Sequence, residues 1–84
     1  TLTPLSALAL LNNKFMTVMA GHFAERLKKV NAALPVQIDH GFKLATGRSP
    51  SAEERKLLLA YAGKHDLANA CRSILNLNEF VFVD

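Results

Sequence analysis

The stretch that most constrains the fold of this chain lies between Gly41 and Glu54, where one helix must end and another begin within a few residues. Gly47 follows an apolar helical run, and a glycine there supplies the left-handed conformation that ends many helices. Ser51 stands three residues before Glu54, which is the spacing of a capping box at a helix start. The sequence therefore predicts a helical corner at this point.

Length and cysteine content limit the kind of domain the chain can form. It has 84 residues and a single cysteine, Cys71, which excludes an internal disulfide and a Cys-based zinc cluster. We predict one helical domain over residues 1–84, an all-α orthogonal bundle of four to five short helices with an irregular C-terminal tail. Because the chain begins at Thr1 without an initiator methionine or a signal peptide, we expect an excised piece of a larger multidomain protein.

Hydrophobic periodicity indicates where these helices lie. A short first helix is expected over Leu5–Leu11, followed by a second from Asn12–Asn13 to about Asn31, a third from Val36 to Gly47, a fourth after Ser51 and a fifth from Asp66. The third helix should be enclosed by the second, fourth and fifth, with the Phe80–Val83 tail packed along the bundle. The predicted caps are Thr3, Asn13, Gly47, Ser51, Glu54 and Asn78.

The apolar side chains at helical spacing are the candidate core. In the second helix they form one stripe, in the fourth they form a buried face, and in the fifth they form an inner face. The stripe of the second helix is Phe15, Val18, Met19, Phe23, Leu27 and Val30. The buried face of the fourth helix is Leu57, Leu58, Tyr61 and Ala62, and the inner face of the fifth is Leu67, Ala70, Cys71, Ile74 and Leu75.

No motif points to a catalytic reaction, a metal or a cofactor, and none is expected. His22, His40 and His65 fall on three different predicted elements, without the i, i+4 spacing that places two imidazoles on one helix face. Cys71 lies on an apolar helical face, where a cysteine behaves as a small hydrophobe. The remaining candidate site is the corner itself, where Arg48, Ser49 and Ser51 could hold an anion at a helix start. For Arg48 we expect a bracing role instead, through the carbonyls of the third helix or a carboxylate such as Glu54.

A formal net charge of +3 allows a second class of function. Nucleic acid or another polyanion could bind the scattered basic residues, and the third and fourth helices could be mistaken for a helix-turn-helix. Glu53 and Glu54 disfavour that reading, because they would meet phosphates at the start of the fourth helix. The basic residues concerned are Arg26, Lys28, Lys29, Arg48, Arg55 and Lys56.

Three segments, taken in order, carry a family resemblance. They are the opening Thr3-Pro4-Leu5-Ser6-Ala7-Leu8-Ala9-Leu10-Leu11-Asn12-Asn13, the corner from Phe42 to Glu54, and the ending from Leu75 to Asp84. Together they resemble the C-terminal part of the planctomycete-type domain of unknown function 1553, with a likeness over essentially the whole chain. Thr46 stands where the family pattern has leucine, and we expect it to face solvent.

The resemblance implies a large exported bacterial protein, periplasmic or at the cell surface, and brings no activity with it. We therefore expect a non-catalytic structural or protein-interaction module. Its partner would be the parent protein or another protein, and weak self-association would run through Leu5, Leu8, Phe15 and the tail. Two alternatives stay open, namely polyanion binding and an accessory fragment of an enzyme whose catalytic residues lie upstream.

Overall fold

Four α-helices make up the part of the chain that the computed structural model describes, which is residues 3–77 apart from the side chain of residue 9. The described range contains no strand, so the predicted all-α class is confirmed. The helices are α1 (Pro4–Val30), α2 (Leu34–Thr46), α3 (Ala52–Lys64) and α4 (Leu67–Leu75). Asn78 and the predicted Phe80–Val83 tail lie outside the described residues.

Helix α1 is one continuous element of 27 residues, where a short helix followed by a longer one was predicted. Thr3 caps it as expected, since its hydroxyl accepts a hydrogen bond from the Ser6 backbone N–H at 3.1 Å. The prediction that Asn13 is a cap is wrong, because Asn13 lies inside the helix and its carbonyl accepts from the Thr17 hydroxyl at 2.9 Å. Asparagine costs a helix interior under about 1 kcal/mol, too little to break an element with neither proline nor glycine at that point.

A short turn joins α1 to α2. The Asn31 side chain accepts from the Ala33 backbone N–H at 2.8 Å, and the buried Gln37 amide donates to the Asn31 carbonyl at 2.6 Å. Helix α2 begins at Leu34, two residues before the predicted start, with Pro35 in its first turn. Proline fits there because the first backbone N–H groups of a helix have no partner within it.

Two helices, α2 and α4, occupy the centre of the bundle. Each contacts all the other described helices, whereas α1 and α3 do not contact each other. The enclosed position predicted for α2 is thus shared with α4, whose start is capped by the Asp66 side chain accepting from the Asn69 backbone N–H at 2.7 Å. The buried apolar side chains are Ala20, Ala24, Leu27, Ile38, Phe42, Ala45, Ala62, Leu67, Ala70, Cys71 and Ile74.

Helices α1 and α2 approach each other closely at Gly41. A Cβ atom added there would lie 2.7 Å from Cδ1 of Leu27, which is fully buried. The missing side chain lets the α2 backbone rest on Leu27, so Gly41 sets the spacing of these helices.

Several residues predicted to be buried are exposed. On α3, Leu57 is 64% exposed and Tyr61 is 40% exposed, while Ala62 carries the buried face with partial help from Leu58. On α1 the core face is made by Ala20, Ala24 and Leu27. Four α1 side chains that were predicted to be buried are more than 40% exposed, namely Phe15, Val18, Met19 and Val30.

Candidate docking surface

The corner between α2 and α3 is closed by a single carboxylate. Gly47 adopts the left-handed conformation, with φ of 81°, and ends α2. Ser51 and Glu54 form the predicted capping box, in which the Ser51 hydroxyl accepts from the Glu54 backbone N–H at 3.1 Å and the Glu54 carboxylate accepts from the Ser51 backbone N–H at 2.8 Å. The same carboxylate accepts two hydrogen bonds from Arg48, at 2.8 Å and 2.9 Å.

Arg48 is therefore a brace between the end of α2 and the start of α3. Its guanidinium also lies over the Phe42 ring, 4.9 Å from the centroid, which orients it toward Glu54. The Arg48 hydrogen bonds, with those from Ser51, lower the pKa of Glu54 from 4.5 to about 2. The carboxylate that closes the corner is thus fully ionised at neutral pH.

Thr46 corrects one sequence-based expectation. Its side chain is 8% exposed and does not face solvent. The hydroxyl donates to the Phe42 carbonyl at 2.8 Å and accepts from the Arg48 backbone N–H at 3.3 Å. A leucine side chain could make neither hydrogen bond, so in this chain the threonine stabilises the last turn of α2.

These contacts bear on the candidate anion site at Arg48, Ser49 and Ser51. The structure brings Arg48 and Ser51 together, but it does so through Glu54, whose negative charge already faces the guanidinium. Ser49 contributes its backbone carbonyl, which accepts from Arg48 Nη1 at 3.2 Å. An anion would have to displace Glu54 from both its charge partner and its cap.

Charge pairing also affects the basic residues considered for polyanion binding. Lys28 lies 3.4 Å from Glu25, Arg48 lies 2.8 Å from Glu54, and Arg55 Nε lies 3.0 Å from Asp39 Oδ1. The last contact ties α3 to α2. Although Asp39 Oδ1 is buried, it accepts no hydrogen bond of good geometry among the described residues, so charge attraction maintains the pair. Polyanion binding stays a prediction, with half of its six residues beside a carboxylate.

The three histidines lie on different helices or helix ends. His22 is on α1, His40 is on α2, and His65 ends α3 with its ring 4.5 Å from that of Tyr61. Within residues 3–77, no group of three His, Cys, Asp or Glu side chains is arranged to hold a metal ion.

Cys71 lies in the fully buried part of α4. Burial raises the pKa of its thiol from 9.0 to about 11, and the charge of Asp66 adds to the effect. The thiolate is the nucleophilic form of cysteine. At neutral pH, Cys71 is consequently a packing residue without nucleophilic character.

The first half of α1 carries an extensive exposed apolar surface. Residues 4–15 have exposed side chains throughout, residue 9 aside, so this half extends away from the bundle. Large apolar side chains here and just beyond are 42% to 80% exposed, and they are Leu5, Leu8, Leu10, Leu11, Phe15, Val18 and Met19. Monomeric proteins rarely expose contiguous apolar surface on this scale, and such patches mark interaction sites.

Most of these side chains share one face of the helix. Leu8, Leu11, Phe15 and Val18 follow the alternating three- and four-residue spacing of a helix–helix seam. With Met19 they are called here the α1 stripe. At about 100° per residue, the stripe is centred roughly 150° around the helix axis from the buried face of Ala20, Ala24 and Leu27. It therefore does not continue the core and presents a separate surface.

The α1 stripe runs directly into a groove between α1 and α2. The groove has a volume of about 360 Å³ and begins at Met19, the last residue of the stripe. Its apolar lining comes from α1, α2 and α4, and its two polar side chains, His22 and Arg26, stand on the stripe face of α1. The complete lining, called here the α1–α2 groove, is Met19, His22, Phe23, Arg26, Leu44, Ala45 and Leu75.

Sequence analysis identified part of this surface. Leu5, Leu8 and Phe15 were expected to mediate docking, and the structure leaves all three exposed. Leu44, His22 and Arg26 were not connected to them. The period of α1 places His22 and Arg26 on the stripe face, but only the packing of α2 against α1 brings Leu44 beside them.

Comparisons with other proteins complete the description. None of the described helices is long and apolar enough to cross a membrane. Searches of curated proteins and of solved structures gave no match. A family model described as protein of unknown function (DUF1553), PSD1, matches residues 1–62, a range that includes the α1 stripe and the corner but excludes α4 and the Leu75–Asp84 ending. The chain therefore belongs to the DUF1553 family.

Proposed function

We propose that this chain is a non-catalytic docking module of a larger exported bacterial protein of the planctomycete type. It binds through the α1 stripe to another part of the parent protein or to a separate protein. The observation that supports this proposal is the exposure of five large apolar side chains along one face of α1, on the side away from the core. The family resemblance of the corner and ending motifs supports the assignment to an exported parent protein.

A docking role also agrees with the chemistry of the remaining candidates. Cys71, the candidate nucleophile, is buried and its thiol pKa is raised. Arg48, the candidate anion ligand, pairs with Glu54. Both side chains therefore stabilise the fold.

Exposed apolar surface can be measured on the chain alone. An environment-sensitive dye, 8-anilinonaphthalene-1-sulfonate, should show enhanced fluorescence with the wild type, and sedimentation velocity should show weak self-association that grows with protein concentration. Leu11→Gln combined with Phe15→Gln should reduce both signals, because it removes apolar area from the α1 stripe.

Leu57→Gln provides a matched control. Leu57 is 64% exposed and Leu11 is 63% exposed, but Leu57 lies on α3, which does not contact α1. This variant should retain the wild-type self-association. Its dye fluorescence is not part of the control, because Leu57 lines a separate apolar groove with Phe42 and Ile74. A wild-type chain that stays monomeric at high concentration and leaves the dye fluorescence unchanged would contradict the proposed function.

A further inference from the structure

Resting on the proposed function, we propose that the partner segment is an acidic amphipathic helix. Its apolar face lies along the α1 stripe, and its carboxylates meet His22 and Arg26 at the α1–α2 groove.

The spacing of the stripe selects a helix as the occupant. Leu8, Leu11, Phe15 and Val18 alternate between three and four residues, so their side chains form one ridge with the geometry of a coiled-coil seam. A helix packs its own ridge into such a row along its whole length. A β-strand presents side chains every second residue and would match the row at only one or two points.

Electrostatics select the sign of the occupant's charge. The first carboxylate in the sequence is Glu25, so the chain carries no acidic residue through the whole length of the stripe. Beyond Met19, the stripe face of α1 carries the exposed side chains His22, Arg26 and Lys29. Glu25 lies at the edge of this face, one helical turn from His22, and pairs with Lys28 at 3.4 Å, so it leaves Arg26 and Lys29 as excess positive charge. The described residues that line the groove include no carboxylate. Glutamates or aspartates on the partner would supply the missing negative charge.

The groove fixes where the apolar and charged contacts meet. Its apolar lining from Met19, Phe23, Leu44 and Leu75 continues the stripe, and Arg26 stands on the same face. A helix that follows the stripe toward the bundle would place its last apolar side chain in the groove. Acidic residues on the following turn would then lie beside Arg26 and His22.

A second copy of this chain is a poorer occupant. Two α1 stripes paired in the same direction would bring Arg26 and Lys29 of both copies together, and the one carboxylate nearby on each copy, Glu25, already pairs with Lys28. Paired in opposite directions they would cover each other's leucines and leave His22 and Arg26 without carboxylates, since α1 has none before Glu25. Self-association through the stripe should therefore be weak and should yield to an acidic helix.

The test uses two designed helical peptides of 21 residues as probes, both with leucine at the seam positions. One carries glutamate at the flanking positions and the other carries lysine, and binding to the full chain is followed by fluorescence anisotropy. The glutamate peptide should bind about tenfold more tightly than the lysine peptide, as expected from two or three exposed charge pairs. High salt should reduce this difference.

Two charge-reversed variants locate the effect. Arg26→Glu should abolish or invert the preference for the glutamate peptide. Lys56→Glu changes the net charge by the same amount on α3 and should leave the preference unchanged. Circular dichroism and thermal unfolding of each variant confirm that it is folded before binding is compared.

Other outcomes would overturn the inference in distinguishable ways. Equal binding of both peptides, weakened by Leu11→Gln with Phe15→Gln, would retain the docking function and eliminate the acidic partner. If neither peptide binds while the chain still self-associates, the occupant of the α1 stripe is a second copy of the chain and not an acidic helix. If neither peptide binds, and the chain neither self-associates nor binds the dye, the proposed function is contradicted as well.

Discussion

Glu54 has three tasks in the corner, and each depends on its ionised carboxylate. It accepts hydrogen bonds from the Ser51 backbone and from both terminal nitrogens of Arg48, and its negative charge lies in the first turn of α3. Negative charge at a helix start is favourable because the backbone N–H groups there carry partial positive charge. One side chain thus links the end of α2 to the start of α3.

The lowered pKa of Glu54 makes the stability of the corner depend on pH. Because the folded-state pKa of about 2 lies below the ordinary 4.5, the stabilisation is complete above pH 4.5 and is lost as the pH falls toward 2. The thermal midpoint of the wild type should therefore fall between pH 5 and pH 2, and Glu54→Gln should remove part of that fall. Glu53→Gln, which leaves the bridge intact, should keep the wild-type slope. Identical slopes for wild type and Glu54→Gln would show that the bridge contributes nothing to folding.

Cys71 gives a residue-scale test of the core. With a pKa of about 11 instead of 9.0, the thiolate fraction near pH 8 is reduced roughly 100-fold, and burial restricts access further. We expect slow reaction with 5,5′-dithiobis(2-nitrobenzoic acid) in the native state and rapid reaction in urea. The control is Ser73→Cys in a Cys71→Ala background, which places the only thiol on the exposed side of α4. Native labelling of Cys71 as fast as that control would disprove the packing role.

At the scale of the element, helix α1 shows what sequence periodicity can and cannot predict. The caps at Thr3, Gly47 and Ser51 follow from local hydrogen-bonding chemistry, and they occur where the sequence places them. The break at Asn12–Asn13 was wrong, since the modest cost of asparagine in a helix does not stop an element that is well formed on both sides.

Burial was harder to predict than helix position. Periodicity identifies an apolar face but not whether another helix covers it, so Phe15 and Leu57 resemble core residues in the sequence. Alanines make most of the true α1 core face, because α2 and α4 pack closely against it. The groove beside Leu44 likewise depends on the docking of two helices, which no local pattern specifies.

Two glycines on neighbouring helices distinguish packing from helix propensity. Gly21 lies within α1 and a Cβ there would meet no atom within 4 Å, so Gly21→Ala should stabilise the fold by up to about 1 kcal/mol. Gly41→Ala gains the same helix propensity, but its added methyl group would press on buried Leu27, so this variant should be about 1 to 3 kcal/mol less stable than Gly21→Ala. Urea unfolding of both variants measures the contrast. A stabilising Gly41→Ala would mean that α2 can move away from α1 without loss of packing.

At the scale of the whole molecule, the chain divides into a bundle and an extension. The bundle contains the second half of α1 with α2, α3 and α4, and it holds all the buried side chains of the described residues. The extension is the first half of α1, residues 4–15, which is about 18 Å of helix with exposed apolar side chains. The DUF1553 family model matches residues 1–62, so the extension lies within the part of the chain that the family shares.

Removing the extension should separate docking from folding. A chain that begins at Asn13 loses the Thr3 cap and the leucines from Leu5 to Leu11 but keeps every buried side chain of the described bundle. We expect its free energy of unfolding to stay within about 1 kcal/mol of the wild type, the size of a lost helix cap. Dye binding, self-association and binding of the glutamate peptide should all fall, because Leu8 and Leu11 of the α1 stripe are removed together with the exposed Leu5 and Leu10. Urea unfolding and fluorescence anisotropy measure the two properties on the same sample. If the shortened chain loses both cooperative unfolding and peptide binding, the exposed half of α1 is required for the fold. If it binds the glutamate peptide as well as the wild type does, the docking surface lies elsewhere on the bundle.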